Sequence, residues 1–372
     1  MPSQVRKKKI QPDQITLGAP LEWPIYDCDG ILLFKTGSKI HTREQLELLS
    51  SRNAHFLVDL QQEEILNQHI FDRITQLVTL VALSLDAINK KQSEGHRRIL
   101  QCVKIINDIC EKDADGALGA VHLFRDHTNT LLKPIFSGIL ANIIARRIRY
   151  PQSRTEDLVT AMLLCNIASM SYQAELDFQT TPLTQSQKDQ LSKHPEEGFK
   201  TLLQANINTP NVLQAVLQHH ERSDGSGYPS GITDPNRHMD GKILALCEYY
   251  VAVTATRRYK PIKQSQEALR EVYVIANTQE PYLYMQFIKE LGAFPPGSIV
   301  KLANKEIAII TRRQEKVIAP ISKAIISPAG KEYTSPKKRD CSLAEYKIVG
   351  GHKLDLNVKL DLVALWDYEN TN

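Results

Sequence analysis

The sequence predicts a mainly α protein, a helical bundle with a small β-rich module on its N-terminal side and a β-rich appendage on its C-terminal side. Three observations predict this. From Ala117 to Tyr250 the pattern is mostly helical, and ahead of it Ile65, Ile70, Ile74, Leu77, Leu80 and Leu83 recur mostly at three- and four-residue steps, the period of a helix face. Before residue 60, short apolar runs are separated by turn signals such as Asp29-Gly30, the pattern of hairpins. After Phe294-Pro295-Pro296-Gly297 the helical period gives way to short strand-like runs, such as 298–302 and 306–311.

Each element follows in turn. Residues 1–13 are polar and basic and are expected to be a flexible tail ahead of strands at 17–21, 24–27 and 31–34. Thr42 is placed to cap a short helix over 43–50, and a strand at 55–58 closes a module that spans 1–60. Residues 61–115 read as two helices parted by a polar break at 89–95, either a spacer or a hairpin packed on the main domain. Within 116–292, the segments 117–125, 128–149, 155–171, 184–204, 211–220, 239–256, 262–276 and 279–291 are expected helices. Pro134 either kinks the second of these or begins it. The remainder, 293–372, is the β-rich region, with strands at 317–320, 323–326 and 362–366 after the first two, and a polar loop over 329–340.

The length of 372 residues suits two or three domains. A net charge of +4 is no strong signal for a nucleic-acid polymer or a membrane surface. The basic clusters 6–9 and 337–339 are short, and read as a solvated tail and a solvated loop. Six cysteines at 28, 102, 110, 165, 247 and 341 include no CxxC pair, which argues against a zinc ribbon or a dithiol redox motif and suits a reducing cytoplasm. No apolar N-terminal core suggests a signal peptide. The strongest apolar candidate for a membrane span, 74–85, is too short and is interrupted by Thr75, Gln76, Thr79 and Ser84. A cytoplasmic protein is therefore expected.

The chemistry concentrates in the run His219-His220-Glu221-Arg222-Ser223-Asp224-Gly225-Ser226-Gly227-Tyr228-Pro229-Ser230-Gly231. Neutral imidazole is a common metal ligand, and two imidazoles beside a Gly-rich turn make half of a plausible metal site. The run resembles the second signature of the HD-GYP family, HHExxDGxGYPxG, at every fixed position, and the resemblance extends over roughly 116–290. It implies an HD-type helical bundle with a centre of two or three metals, often iron, that hydrolyses cyclic di-GMP.

The family's first signature, HDxGK, follows an apolar helix that resembles 158–164. Here the sequence continues Cys165-Asn166-Ile167-Ala168-Ser169. Cysteine replaces the histidine, asparagine replaces the aspartate that bridges two cations, and serine replaces the lysine. Further on, Lys193-His194-Pro195 puts His194 at a ligand position, and His219 and His220 fill the paired positions. Glu248 stands where the family's ADxYDA stretch has its first aspartate, while Val251 replaces the second. Arg257-Arg258-Tyr259 resembles the ligand-contacting R-P-Y segment. His127 loosely matches the early histidine, with Leu123 where its glutamate partner belongs.

The resemblance thus implies His194, His219, His220 and Glu248 as ligands for one divalent ion (iron, manganese or zinc). It implies Asp224, Gly225, Gly227, Tyr228, Pro229 and Arg257 as residues that bind the organic ligand. No residue is assigned a catalytic role. Cys165 is either a soft ligand or a small buried hydrophobe. The first expectation is a degenerate, non-catalytic module that senses a cyclic dinucleotide or binds a protein signalling partner. The alternative is an active metal-dependent cyclic di-GMP phosphodiesterase with an atypical metal shell. A scaffold that binds neither metal nor nucleotide is a third reading.

Overall fold

The structure, a computed structural model, describes residues 5–10, 15–21, 25–26, 32–35, 37–51, 54–59, 68–124, 130–176, 179, 181–254, 265–314, 319–354 and 358–368. The chain forms two compact units, Met1–Gln68 and His69–Asn372.

The first unit is built on β1 (Val5–Lys9), β2 (Ile25–Tyr26), β3 (Leu32–Phe34), α1 (Arg43–Ser51) and β4 (His55–Asp59). The strands form one antiparallel sheet in the order β1-β4-β2-β3. Ile10, Ile15, Leu21, Ile25, Ile40 and Leu49 fill its core. Thr42 caps α1, its hydroxyl accepting from the Gln45 N–H at 3.3 Å. The run Val5–Lys9, expected as tail, is instead a strand paired along the whole of β4. It is an outer strand of the sheet.

The second unit starts with a hairpin, α2 (Ile70–Asn89) and α3 (Ser93–Lys112). Buried Arg73 joins its two helices through Asp108 at 2.8 Å and the Ile105 carbonyl at 3.3 Å. The hairpin packs on the bundle, in keeping with the second of the two readings of this segment. There follow α4 (Ala114–Leu123), α5 (Leu132–Arg147), α6 (Gln152–Leu164), α7 (Met170–Leu176), α8 (Gln185–Ser192), α9 (His194–Gln204), α10 (Pro210–Gln218), α11 (Met239–Thr254), α12 (Ser265–Gln279) and α13 (Pro281–Leu291). Helix α5 is buried around most of its circumference and packs on α6 and α11, as an apolar helix without a polar face must. Pro134 lies in its first turn, where a missing N–H costs no helical bond, so it opens the helix.

Two expected helices are each divided. The helix over 155–171 stops at Leu164, and tight turns through Cys165–Ser169 precede α7. The helix over 184–204 breaks at Lys193 because Pro195 cannot continue a helix but suits the start of α9. Thr184 opens α8 with a reciprocal cap to Gln187.

The C-terminal sheet comprises β5 (Ile299–Leu302), β6 (Ile307–Arg312), β7 (Ile321–Ile326), β8 (Glu332–Asp340) and β9 (Ile348–Gly351), antiparallel in the order β8-β7-β6-β5-β9. The expected loop at 329–340 is therefore mostly strand, and the expected last strand is helix α14 (Leu362–Trp366). Asp361 caps that helix by accepting from the Ala364 N–H at 3.0 Å. A five-residue apolar run does not by its period separate helix from strand. Residues 317–318 lie outside the described residues. The sheet is fixed to the bundle through Arg312 to Asp113 (2.7 Å), the Arg313 N–H to Asp115 (3.0 Å) and the Tyr368 hydroxyl to Asp113 (2.6 Å). No described helix is long and apolar enough to cross a membrane.

Candidate metal centre

Four short segments converge inside the bundle: the turn after α6, the start of α9, the end of α10 and the middle of α11. They carry Cys165 and Asn166, His194, His219 and His220, and Glu248 respectively. The break before Pro195 puts His194 at a helix start, and the end of α10 puts His219 at a helix finish. Both rings are thereby buried, at 2% and 0% exposure.

Backbone carbonyls fix the state of both rings. His194 Nδ1 is 2.6 Å from the Leu191 carbonyl, and His219 Nδ1 is 2.7 Å from the Val216 carbonyl. A carbonyl only accepts, so each Nδ1 carries the proton and each Nε2 carries a lone pair. The two Nε2 atoms nevertheless face each other at 3.0 Å. Burial lowers both imidazoles to about 4, so neither is charged at neutral pH to bridge them with a proton. Glu248 adds a third acceptor: its Oε2 is buried, has no hydrogen-bond partner and lies 3.8 Å from His219 Nε2. Burial raises the Glu248 carboxyl, as expected for an anion facing acceptors rather than cations. Two imidazole lone pairs and an unpartnered carboxylate oxygen converge here, and a cation would satisfy all three, so the donor set fits a divalent metal ion.

His220 lies next to this group, its ring centroid 4.2 Å from that of His219, and burial holds its basicity well below the usual value. His194, His219 and His220 together meet the spacing of a three-ligand site, as do Cys165, His219 and Glu248. Cys165 behaves as a protonated donor. Its sulfur lies 3.4 Å from the Met162 carbonyl and 3.6 Å from Glu248 Oε1, and burial, then Glu248, pushes the thiol well above its usual range. Asn166 donates its amide to Glu248 Oε1 and accepts from Gln173 Nε2 at 3.3 Å. Ser169 is buried, its hydroxyl donating to the Asn166 carbonyl at 3.3 Å.

The Gly-Tyr-Pro loop forms one wall. A side chain at Gly227 would collide with the backbone of His220, Glu221 and Arg222, so this position requires glycine. Tyr228 stacks on His220 with centroids 4.8 Å apart. Gly225 adopts φ +76°, and Asp224 accepts from the Ser226 N–H at 3.0 Å and hydroxyl at 2.7 Å, a local turn. Gly227 and Tyr228 line a cavity of about 950 Å³ that also reaches Asn166, His219, His220 and Glu248, while Asp224, Gly225 and Pro229 are not among its lining residues. Arg257 and His127 lie outside the described residues.

Sequence reasoning missed two residues that hold this wall. Glu221 accepts from the N–H groups of Ser230 (2.7 Å) and Ile232 (2.9 Å) and is itself buried. Arg237 donates to the Glu221 carbonyl at 2.7 Å and pairs with Glu280. The fixed Glu221 of the signature was the available signal, whereas nothing local marks Arg237.

A buried histidine–carboxylate cluster, walled by a Gly-Tyr-Pro loop beside a ligand-sized cavity, makes this a helical protein with a candidate metal site. The HD domain family matches residues 76–278, more than half of the chain, which therefore belongs to that family and, by its loop and relatives, to the HD-GYP group. The chain is similar to the cyclic di-GMP phosphodiesterase PA4108 of Pseudomonas aeruginosa, 26% identical over 218 residues, 58% of this chain and 53% of that protein. It is also similar to a cyclic di-GMP phosphodiesterase of Thermotoga maritima, 27% identical over 179 residues, 48% of this chain and 45% of that one. The chain thus spans about half the length of these relatives. Among solved structures it resembles Bd1817, a HDG"Y"P protein from Bdellovibrio bacteriovorus, with a TM-score of 0.53 and 13% identity over 77% of this chain and 98% of that one. That likeness concerns the fold.

Proposed function

We propose that this chain is a metal-dependent phosphodiesterase that takes a cyclic dinucleotide of the cyclic di-GMP kind and opens one of its phosphodiester bonds with water. The observation that carries the reading is the meeting of His194 Nε2, His219 Nε2 and the buried, unpartnered Glu248 Oε2 beside a large cavity. The names of the similar proteins support it, and favour hydrolysis over a purely non-catalytic role.

In this reading His194, His219 and Glu248 hold one divalent cation, iron, manganese or zinc, with His220 adjacent. The ion supplies Lewis acidity at phosphoryl oxygen and makes water more acidic. The protein's own part is to keep two imidazoles neutral, to aim a carboxylate and to offer a pocket of suitable size. Lys133 and Arg222 line the same cavity and bring positive charge to a substrate that carries two phosphates. Hydrolysis breaks one P–O ester bond, forms a P–O bond to the water oxygen and releases a linear dinucleotide.

A second reading, binding without turnover in a signalling module, is favoured by Asn166. A neutral amide whose oxygen is already held by Gln173 is a poor bridge between two cations. One experiment separates the two. The full chain is stripped with chelator, reloaded with Mn2+, Fe2+ or Zn2+, and offered cyclic di-GMP, with product followed by chromatography and binding by calorimetry. Linear product that disappears in His219→Ala supports hydrolysis. Saturable binding without product supports the signalling module, and turnover gained only by Cys165→His/Asn166→Asp would assign the loss to those two positions. Neither binding nor product overturns both readings.

A further inference from the structure

The side chain of Asn166 is held by neighbours on both sides. Its Nδ2 donates to Glu248 Oε1, and its Oδ1 accepts from Gln173 Nε2 at 3.3 Å. A carboxylate oxygen accepts, and the asparagine turns its NH2 toward Glu248. Its carbonyl oxygen then faces Gln173, which can meet it only with its own NH2. The donors therefore run in one sense, from Gln173 to Asn166 to Glu248. The Cys165 thiol, 3.6 Å away, adds a donor to the same carboxylate oxygen.

This order decides which oxygen of Glu248 is available. Oε1 is occupied by donors, while Oε2 has none and faces His219 Nε2. The amide NH2 also brings partial positive charge to the Oε1 side of the carboxylate, which disfavours a further cation there. Gln173 lies on α7, in the wall of the same cavity. It is separated from Glu248 by 75 positions in sequence, and nothing local to it suggests a role.

We propose that Gln173 is a positioning residue for the metal carboxylate. By holding Asn166 Oδ1 it keeps the Asn166 NH2 on Glu248 Oε1, turns Oε2 toward His219 and limits the pocket to one cation. This inference rests on the metal site proposed above, but not on hydrolysis.

The test uses Mn2+ alone with the chelator-stripped full chain, counting free ion by its electron paramagnetic resonance signal. The unaltered chain is expected to take one Mn2+. Gln173→Leu, which removes the donor, is expected to weaken binding tenfold or more with the same thermal unfolding midpoint. Gln173→Glu is the deciding variant. It keeps the shape and adds a negative charge that by itself would tighten Mn2+ binding. It also accepts where glutamine donated, so it competes with Glu248 for the Asn166 NH2 and draws that donor away from Oε1.

Weaker binding in Gln173→Glu identifies the donor role, whereas unchanged or tighter binding overturns it. Asn166→Asp, aligned by the same Gln173, places a second carboxylate against Glu248 and is expected to raise the count to two Mn2+ per chain. A count that stays at one overturns the claim that the amide sets the limit. If the unaltered chain takes no Mn2+, the metal site itself falls. If it takes one and the Gln173 variants bind equally well, only the positioning role falls.

Discussion

Gly227 is the residue at which chemistry and backbone meet most closely. Its α-carbon sits against the main chain of His220 and Arg222, so that the paired histidines and the Tyr228 ring share one wall. Main chain cannot swing aside as a flexible side chain would. Gly227→Ala is therefore expected to destabilise the second unit by about 2 kcal/mol and to weaken cyclic di-GMP binding more than Mn2+ binding. Paired denaturation and calorimetric titrations would check this. At this scale much of the candidate site was legible, because His219, His220 and the turn glycines are local in sequence and their types suit their conformations. His194 and Glu248 were legible only through their family positions. Gln173 and Arg237 were not legible, because each matters through a contact made only after helices distant in sequence pack together. Asp224, Gly225 and Pro229 were placed by sequence among ligand contacts, and in the fold Asp224 and Gly225 belong to the turn that leads into Gly227 and Tyr228.

Among elements, the Gly-Tyr-Pro loop depends on one buried carboxylate. Glu221 uses one oxygen on Ser230 N–H and the other on Ile232 N–H, so it holds the returning limb of the loop as a backbone strand would. Glu221→Ala leaves both amides without this partner and is expected to cost about 2 kcal/mol. Faster hydrogen exchange at residues 230 and 232, with α5 unaffected, would show that the cost is local. Thr184 marked the start of α8 in the sequence, whereas the break that Pro195 forces before α9 was passed over, since the apolar pattern continues through it. Nor were helix boundaries legible where the signal is a short apolar run. Leu362–Trp366 became a helix because Asp361 caps it and Trp366 packs against Gly119 of α4, a contact that no local pattern announces. In the same way the polar stretch Glu332–Asp340 became a strand because β7 offers it a partner, not because its residues alternate.

Over the whole molecule, the division into a helical body with β-rich ends was visible in the change of period, but how the C-terminal sheet holds together was not. Glu306 is its polar centre, accepting both arms of Arg339 at 2.7 Å, the Tyr333 hydroxyl at 2.6 Å and the Asn304 amide at 2.9 Å. These donors, Arg339 first, hold the Glu306 carboxyl down at about 2. A folded value below the unfolded one means that the stabilisation is complete above the ordinary glutamate range and is lost as pH falls from about 4.5 toward 2. Acid titration of the full chain should therefore show a loss of stability across that window. Glu306→Gln should lessen the slope there while lowering stability at neutral pH.

The start of the second unit meets residues 366–368 in space. His69, at its first helix, stacks against Tyr368 with ring centroids 6.1 Å apart, and Phe71 meets the Trp366 ring edge-on at 5.3 Å. Neighbouring termini make a domain indifferent to where its chain is cut. A reordered gene that joins residue 368 to residue 69 by a short glycine-serine bridge, and opens the chain at the Ser327–Gly330 turn between β7 and β8, should still yield a cooperatively melting, Mn2+-binding protein.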